Sequence, residues 1–180
     1  MKIRNENQAC TDEKKINQFL IESRIGYLGL NDEASPYVVP LNFVWSNGRI
    51  YFHGADSGRK AAILETEPIA CFTVAHEYAT LAHPVPAHTD TAYLSVMIFG
   101  RVSRLSDLSE RTDAMQQLLD KYVPGYFSRP LATKHVEKYR SSLGSATAVY
   151  SLTPEELTAK ERPLDPERVF PQPQHDETPR

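Results

Sequence analysis

The stretch best equipped for chemistry runs from Tyr51 to Lys60, Tyr-Phe-His-Gly-Ala-Asp-Ser-Gly-Arg-Lys. It reads as a strand closing on His53, a short turn carrying Gly54, Ser57 and Gly58, and a helix whose first turn holds Arg59 and Lys60. The helix macrodipole disfavours cations at that end and favours anions. Two adjacent cations there make sense if an anion is shared between them. The free backbone N–H groups of Gly58 and Arg59, the Ser57 hydroxyl and the two charged side chains together suit a phosphate dianion. The plain alternative is a solvated helix start with both cations in water.

A second cluster, His76, Glu77, His83 and His88, invites a metal reading. Metal sites built on regular structure use fixed spacings such as HExxH, and this set, interrupted by Pro84 and Pro86, has none of them, so a solvated connection is expected and no metal site. The two cysteines, Cys10 and Cys71, lack CxxC spacing and are read as reduced thiols, Cys71 as a small hydrophobe in the core. No nucleophile, base and orienting acid stand together as a triad.

The elements that must position these residues follow from periodicity and punctuation. Ile16, Phe19 and Leu20 recur at helical spacing after Thr11-Asp12-Glu13, an N-capped helix ending near Ser23. Ile25 to Leu30 and Tyr37 to Trp45 read as strands. Asn47-Gly48 marks a type I′ hairpin into Arg49–His53. Pro40 lies inside the first arm, so that arm must be an edge, a bulge, or a strand facing something other than another strand. A strand is expected over Ile69–Ala75, a long connection over His76–Thr91, and a long strand over Ala92–Leu105 with Gly100 as a bulge. Asp107 caps a helix carrying Met115, Leu118, Leu119 and Tyr122. A helix over Thr133–Ser142 and a last strand over Thr147–Leu152 complete the reading. The tally is about six strands, largely hairpin-connected, which argues for a small, mainly antiparallel barrel or sheet with flanking helices.

The chain of 180 residues, 41% hydrophobic with a formal net charge of -3, has the length and composition of one soluble domain. Residues 1–153 are expected to form it. Residues 154–180 hold six of the thirteen prolines and read as an extended, partly disordered arm. The mild acidity argues against a nucleic-acid surface. The short apolar runs argue against a membrane span, and the polar Met1–Asn7 against a signal peptide, so a cytoplasmic location is expected.

The order Gly29-Leu30, Pro36-Tyr37-Val38-Val39-Pro40-Leu41-Asn42-Phe43, Asn47-Gly48, Ile50-Tyr51-Phe52-His53, Gly58-Arg59-Lys60, Pro68 and Ser95-Val96-Met97-Ile98-Phe99-Gly100 resembles a known family. It is similar to the nitroimidazole-resistance branch of the pyridoxamine 5'-phosphate oxidase-like flavoproteins, over roughly residues 11 to 152. The resemblance implies a six-stranded antiparallel split β-barrel of the FMN-binding type, a homodimer with flavin at the subunit interface. It implies that Arg59 and Lys60 hold the FMN phosphate with Ser57 and Gly58 donating, and that His53 and Gly54 end the strand beneath the ribityl chain. Pro40, Leu41 and Asn42 would lie along the isoalloxazine edge, and Ser95 would be a polar residue near the ring. The flavin would perform the redox chemistry.

The chain departs from the oxidases themselves, which end in an Arg- and Trp-rich segment gripping the substrate phosphate. Nothing between Ala146 and Arg180 resembles it, so pyridoxal phosphate synthesis is excluded. The expected function is an FMN-dependent oxidoreductase reducing a small electron-poor acceptor, such as a nitroaromatic, with a nicotinamide donor. The alternatives are a haem-binding or haem-degrading split barrel, with His53 or a loop histidine on the iron, and a non-catalytic FMN-binding or redox-sensing protein.

Overall fold

The structure is a computed structural model that describes residues 3–33, 35–140 and 144–171. Four α-helices, α1 (Glu13–Glu22), α2 (Arg59–Leu64), α3 (Leu108–Tyr122) and α4 (Thr133–Glu137), flank one antiparallel sheet. Its seven strands are β1 (Ile25–Asn31), β2 (Pro36–Asn42), β3 (Val44–Ser46), β4 (Arg49–Ala55), β5 (Ile69–Leu81), β6 (Asp90–Arg104) and β7 (Thr147–Arg162).

Across the sheet the order is β2-β1-β5-β6-β7-β4-β3. The strands at the two ends, β2 and β3, are consecutive in the chain and joined by Phe43 alone. The sheet must therefore curl until its edges meet, which makes it a barrel. The seventh strand, against six expected, arises at this point because Phe43 divides the arm foreseen over Tyr37–Trp45. Phe43 is fully buried, so a backbone N–H and C=O outside any ladder must find partners. Tyr122 supplies both: its hydroxyl accepts from Phe43 N at 2.9 Å and lies 3.0 Å from Phe43 O, with the Arg24 carbonyl as the other acceptor for its single proton.

The barrel is split rather than closed. The β3–β4 ladder stops at Val44↔Tyr51, while β4 continues to Ala55 paired only with β7 on its other side. Opposite it, β2 pairs only with β1. Two strand edges thus face one another without pairing, and Pro40, in register with Tyr27, sits on one of them as the sequence required. Alternate residues fill the interior: Leu28 and Leu30 from β1, Phe72 and Val74 from β5, and Val96 and Ile98 from β6. Cys71 has the opposite parity to Phe72. It therefore lies half-buried on the outer face, Sγ 3.6 Å from Thr73 Oγ1, rather than in the core.

Asn47 and Gly48 both have positive φ, 50° and 70°, as the type I′ hairpin demands. Asp12, not Thr11, caps α1 by accepting from Lys15 N at 3.1 Å. Asp107 caps α3 by accepting from Glu110 N at 2.8 Å. The fourth helix ends at Glu137, short of the stretch expected over Thr133–Ser142, and 141–143 lie outside the described residues.

Two boundaries move. The connection foreseen over His76–Thr91 shrinks to 82–89, because β5 runs on to Leu81 and β6 begins at Asp90, with a bulge between Glu77 and Ala79. The last strand does not stop at Leu152. It pairs with β6 as far as Arg162, so the arm boundary at 153/154 falls inside a strand. Residues 165–171 then fold back on the β5–β6 tip: Ala82 N donates to Arg168 O at 2.8 Å, and Phe170 N to Thr80 O at 2.9 Å. The remainder of the arm, 172–180, lies outside the described residues. No helix among the described residues is long and apolar enough to cross a membrane.

Candidate functional site

The split between β2 and the end of β4 is where the candidate residues gather. Pro40, Leu41 and Asn42 close β2 on one side, and His53 and Gly54 lie near the end of β4 on the other. The chain leaves β4 through Ser57 and enters α2 from Gly58, whose φ of 94° and ψ of 178° are available to glycine at no steric cost. The next two residues carry the cations into this corner.

Lys60 folds back over Gly54. A Cβ at Gly54 would stand 2.5 Å from Lys60 Nζ, so the glycine makes room for the ammonium. Lys60 is half-buried, and among the described residues no carboxylate or hydrogen-bond acceptor pairs with it. Burial lowers its pKa. The imidazole of His53 is likewise held below its usual range, first by desolvation and then by the Lys60 charge. The corner therefore holds a half-buried ammonium without an acidic partner, beside an imidazole that remains open to solvent.

Arg59 behaves differently. Its Nε lies 2.7 Å from Asp32 Oδ2, one terminal nitrogen donates to Ser35 Oγ at 3.1 Å, and its guanidinium lies 4.6 Å from the Tyr37 ring centroid. It ties α2 to the β1–β2 turn and walls the open end of the split. Asp32, Ser35 and Tyr37 were missed from sequence. They stand 22 to 27 residues away from Arg59, and only the fold brings them there. Sequence reasoning foresaw two free cations on one anion; one of them is already ion-paired in the single chain.

Ser95 lies half-buried on β6, where it pairs with Ala75 on β5 and Lys160 on β7. Through β5 and β1 the register leads from Ser95 towards the Ile25↔Asn42 end of β2, whereas through β7 and β4 it leads away from His53, the stagger expected of a barrel.

The outer face of β2-β1-β5-β6 is apolar and open. Ile25, Tyr27, Val38 and Ile69 are 53%, 47%, 61% and 46% exposed, and they share one face because their pairings, Gly29↔Val38, Gly29↔Cys71 and Cys71↔Phe99, keep parity. A hollow of about 330 Å³ opens between Gly29, Val38, Cys71 and Phe99. The loop histidines form no metal cluster: His83 Nδ1 accepts from Val85 N at 3.0 Å and its ring packs on His88. Among the described residues no three His, Cys, Asp or Glu converge on a metal position.

A split antiparallel barrel with a cationic corner in its opening defines the class. The chain belongs to the pyridoxamine 5'-phosphate oxidase family, whose model matches residues 12–161. A search of curated proteins found no match. Among solved structures it is similar to the flavocytochrome Anf3 from Azotobacter vinelandii, with a TM-score of 0.76 and 24% identity over 99% of this chain and 89% of that one. It is also similar to the FAD and haem binding protein from Mycobacterium smegmatis, with a TM-score of 0.74 and 17% identity over 89% and 77%. A third likeness is to a candidate 5-nitroimidazole antibiotic resistance protein from Bacteroides thetaiotaomicron, with a TM-score of 0.67 and 22% identity over 84% and 85%. At these identities the likenesses establish the split-barrel fold.

Proposed function

We propose that this protein is an FMN-binding oxidoreductase that works as a homodimer, reducing a small electron-poor acceptor of the nitroaromatic type with electrons from a nicotinamide donor. The observation that carries the reading is Lys60: a half-buried ammonium, packed on Gly54, without an acidic partner among the described residues. A phosphate supplies the missing charge, and both Lys60 and His53 regain their usual affinity for protons when it arrives.

In this reading Lys60 holds the phosphate, the Gly58 and Arg59 backbone N–H groups and Ser57 donate to it, and Arg59 keeps the β1–β2 turn in place while lending its charge. The Pro40 carbonyl and the Asn42 main-chain groups face the split from the unpaired edge of β2, with Leu41 between them. Bound flavin supplies the hydride and electron chemistry. The chain positions it and keeps water from one side. Ser95 stands near the ring in this reading, and a second copy covers the cofactor, for which the apolar outer face of β2-β1-β5-β6 is the matching surface.

The absorption spectrum of the purified protein is the first test, with heat release of the chromophore and identification by mass. FMN at about one per subunit supports the reading, and a colourless protein that takes up no added FMN overturns it. The double substitution Arg59→Ala, Lys60→Ala is expected to weaken FMN binding by at least tenfold, since a charge-assisted phosphate contact contributes about 1.5–3 kcal/mol. Unchanged affinity would remove the phosphate from this corner. A haem reading has one observation in its favour: His53 is exposed and held towards its neutral form, the form that ligates iron. A Soret band in the same spectrum would select it.

A further inference from the structure

A small pocket that neither Lys60 nor His53 lines lies beneath α2, where β4 and β6 end and β7 begins. Its volume is about 150 Å³, and its charged lining is Asp56, Glu65, Glu67 and Arg104. Ala61 and Leu64, both buried on α2, close it on one side. Backbone contacts hold the acidic positions. Asp56 N donates to Ala146 O at 3.0 Å and Glu67 N to Leu64 O at 3.1 Å, while the Arg101 guanidinium donates to Glu67 O at 2.7 Å.

Three carboxylates and a guanidinium share this lining, yet no ion pair or hydrogen bond joins their side chains to one another or to any other described residue. The segment 141–143, outside the described residues, is Ser-Ser-Leu and adds no charge. Tyr150 supplies an independent sign of a ligand. It is 2% exposed, with its ring stacked on Phe52 at 5.3 Å between centroids, and its hydroxyl makes no hydrogen bond among the described residues. The charges that act on this hydroxyl are those of Arg104, Asp56 and Glu65, all of which line the pocket, so the hydroxyl is turned to it. Burial raises its pKa, which keeps it a donor at neutral pH. A buried hydroxyl left without a partner costs about 1–3 kcal/mol, so an acceptor in the pocket is favoured.

Size and charge together define the occupant. The volume is about five times the share of one water in the liquid, about 30 Å³, which suits a molecule of about six non-hydrogen atoms. A simple anion would meet three carboxylates, and a simple cation would leave Arg104 and the Tyr150 hydroxyl unanswered. A molecule with both charges one carbon apart answers all of them. We propose that this pocket binds a small free α-amino acid of the size of glycine, alanine or serine, its carboxylate on Arg104 and the Tyr150 hydroxyl and its ammonium among Asp56, Glu65 and Glu67.

The experiment titrates the 15N-labelled protein, with whatever cofactor it carries when purified, with glycine, L-alanine and L-serine. Propionate and ethylammonium, which are alanine without its amino group and without its carboxyl group, are titrated separately. The backbone amides of Glu65 and Glu67 report on the pocket. A saturable shift with at least one amino acid, and binding at least about tenfold weaker with either fragment, is the expected result. Tyr150→Phe keeps the ring on Phe52 and removes only the hydroxyl, and Arg104→Gln is an exposed change. Each should weaken the amino acid by about tenfold or more, with the unfolding midpoint confirming that the variant is folded. Amides unmoved by about 20 mM of every amino acid overturn the proposal and leave the pocket to water. A fragment that binds as tightly as the amino acid, or an affinity unchanged in folded Arg104→Gln, overturns it too. The chromophore spectrum reads the Lys60 corner separately, so either proposal can fail without the other.

Discussion

A half-buried ammonium without an acidic partner is a poised group, and Lys60 and Lys121 are two such groups among the described residues. At Lys60 the poise serves a ligand: phosphate binds the protonated form, so affinity should hold at low pH and fall as the pH rises through the depressed pKa of the free protein. Lys121 serves the fold. Its ammonium lies 4.3 Å from the Phe43 ring centroid and 3.5 Å from Leu20 O, and burial, helped by the Arg24 charge, lowers its pKa to about 8. Unfolded, the same lysine titrates near 10.5. Between these values the unfolded state binds more protons, so stability must rise with pH across that window. We expect the urea midpoint of the native chain to gain on that of Lys121→Met between pH 7 and pH 9.5. A difference independent of pH would mean that the ammonium is fully solvated. At this scale the sequence was half legible. Adjacent cations after Gly58 can be read from their order, but the pairing of Arg59 with Asp32 and the latch of Tyr122 on Phe43 join residues far apart in sequence, and no local pattern encodes them.

Strand lengths decide where those residues stand, and the longest strands were the least legible. From the sequence the last one ends at Leu152, because the stretch from Pro154 onward is rich in proline and lacks apolar periodicity. In the fold the ladder makes room for the first of these prolines: the register slips between Phe99 and Gly100, and Pro154 falls opposite Gly100. Glycine is required at that bulge, since a Cβ there would run into the Thr153 carbonyl oxygen. Gly100→Ala should therefore destabilise the protein by about 1–3 kcal/mol through forced backbone movement, measured by chemical denaturation. A loss within about 0.5 kcal/mol would show that β6 and β7 part easily there. The far end of β5 was missed for a related reason. His76, Glu77 and Tyr78 are exposed and straddle a bulge, so the alternation that betrays a half-buried strand is absent. The Asn47-Gly48 hairpin and the Asp107 cap, whose signals are local, were read correctly, while the first cap shifted by one residue and the fourth helix is capped at Lys138 rather than at Gly144.

At the scale of the whole molecule, the described residues leave a broad apolar face of the sheet open. Val38, 61% exposed on β2 at the margin of that face, is the place to test whether a second copy covers it. Val38→Asp should leave the chain folded but convert a dimer to a monomer in analytical ultracentrifugation, with loss of bound flavin. A monomeric native protein, or a variant that remains dimeric, would place the subunit contact elsewhere or remove it. The barrel class was legible because antiparallel strands joined by short turns announce themselves. The split came only with the family resemblance and not from strand patterning, since it depends on the one buried residue, Phe43, that joins the two ends of the sheet.

The open edge of β2 has a consequence for how this protein behaves when crowded. Pro36, Val38, Pro40 and Asn42 share a parity, and a proline within a paired strand turns its nitrogen away from its neighbour. All four carbonyls thus point outward, but only Val38 and Asn42 can offer an N–H beside them. An incoming strand would find two of the four donors missing, which makes this edge a poor template for fibril growth. Pro40→Val would look harmless on grounds of strand propensity, yet it would restore the missing donor and turn a guarded margin into a template for the next chain.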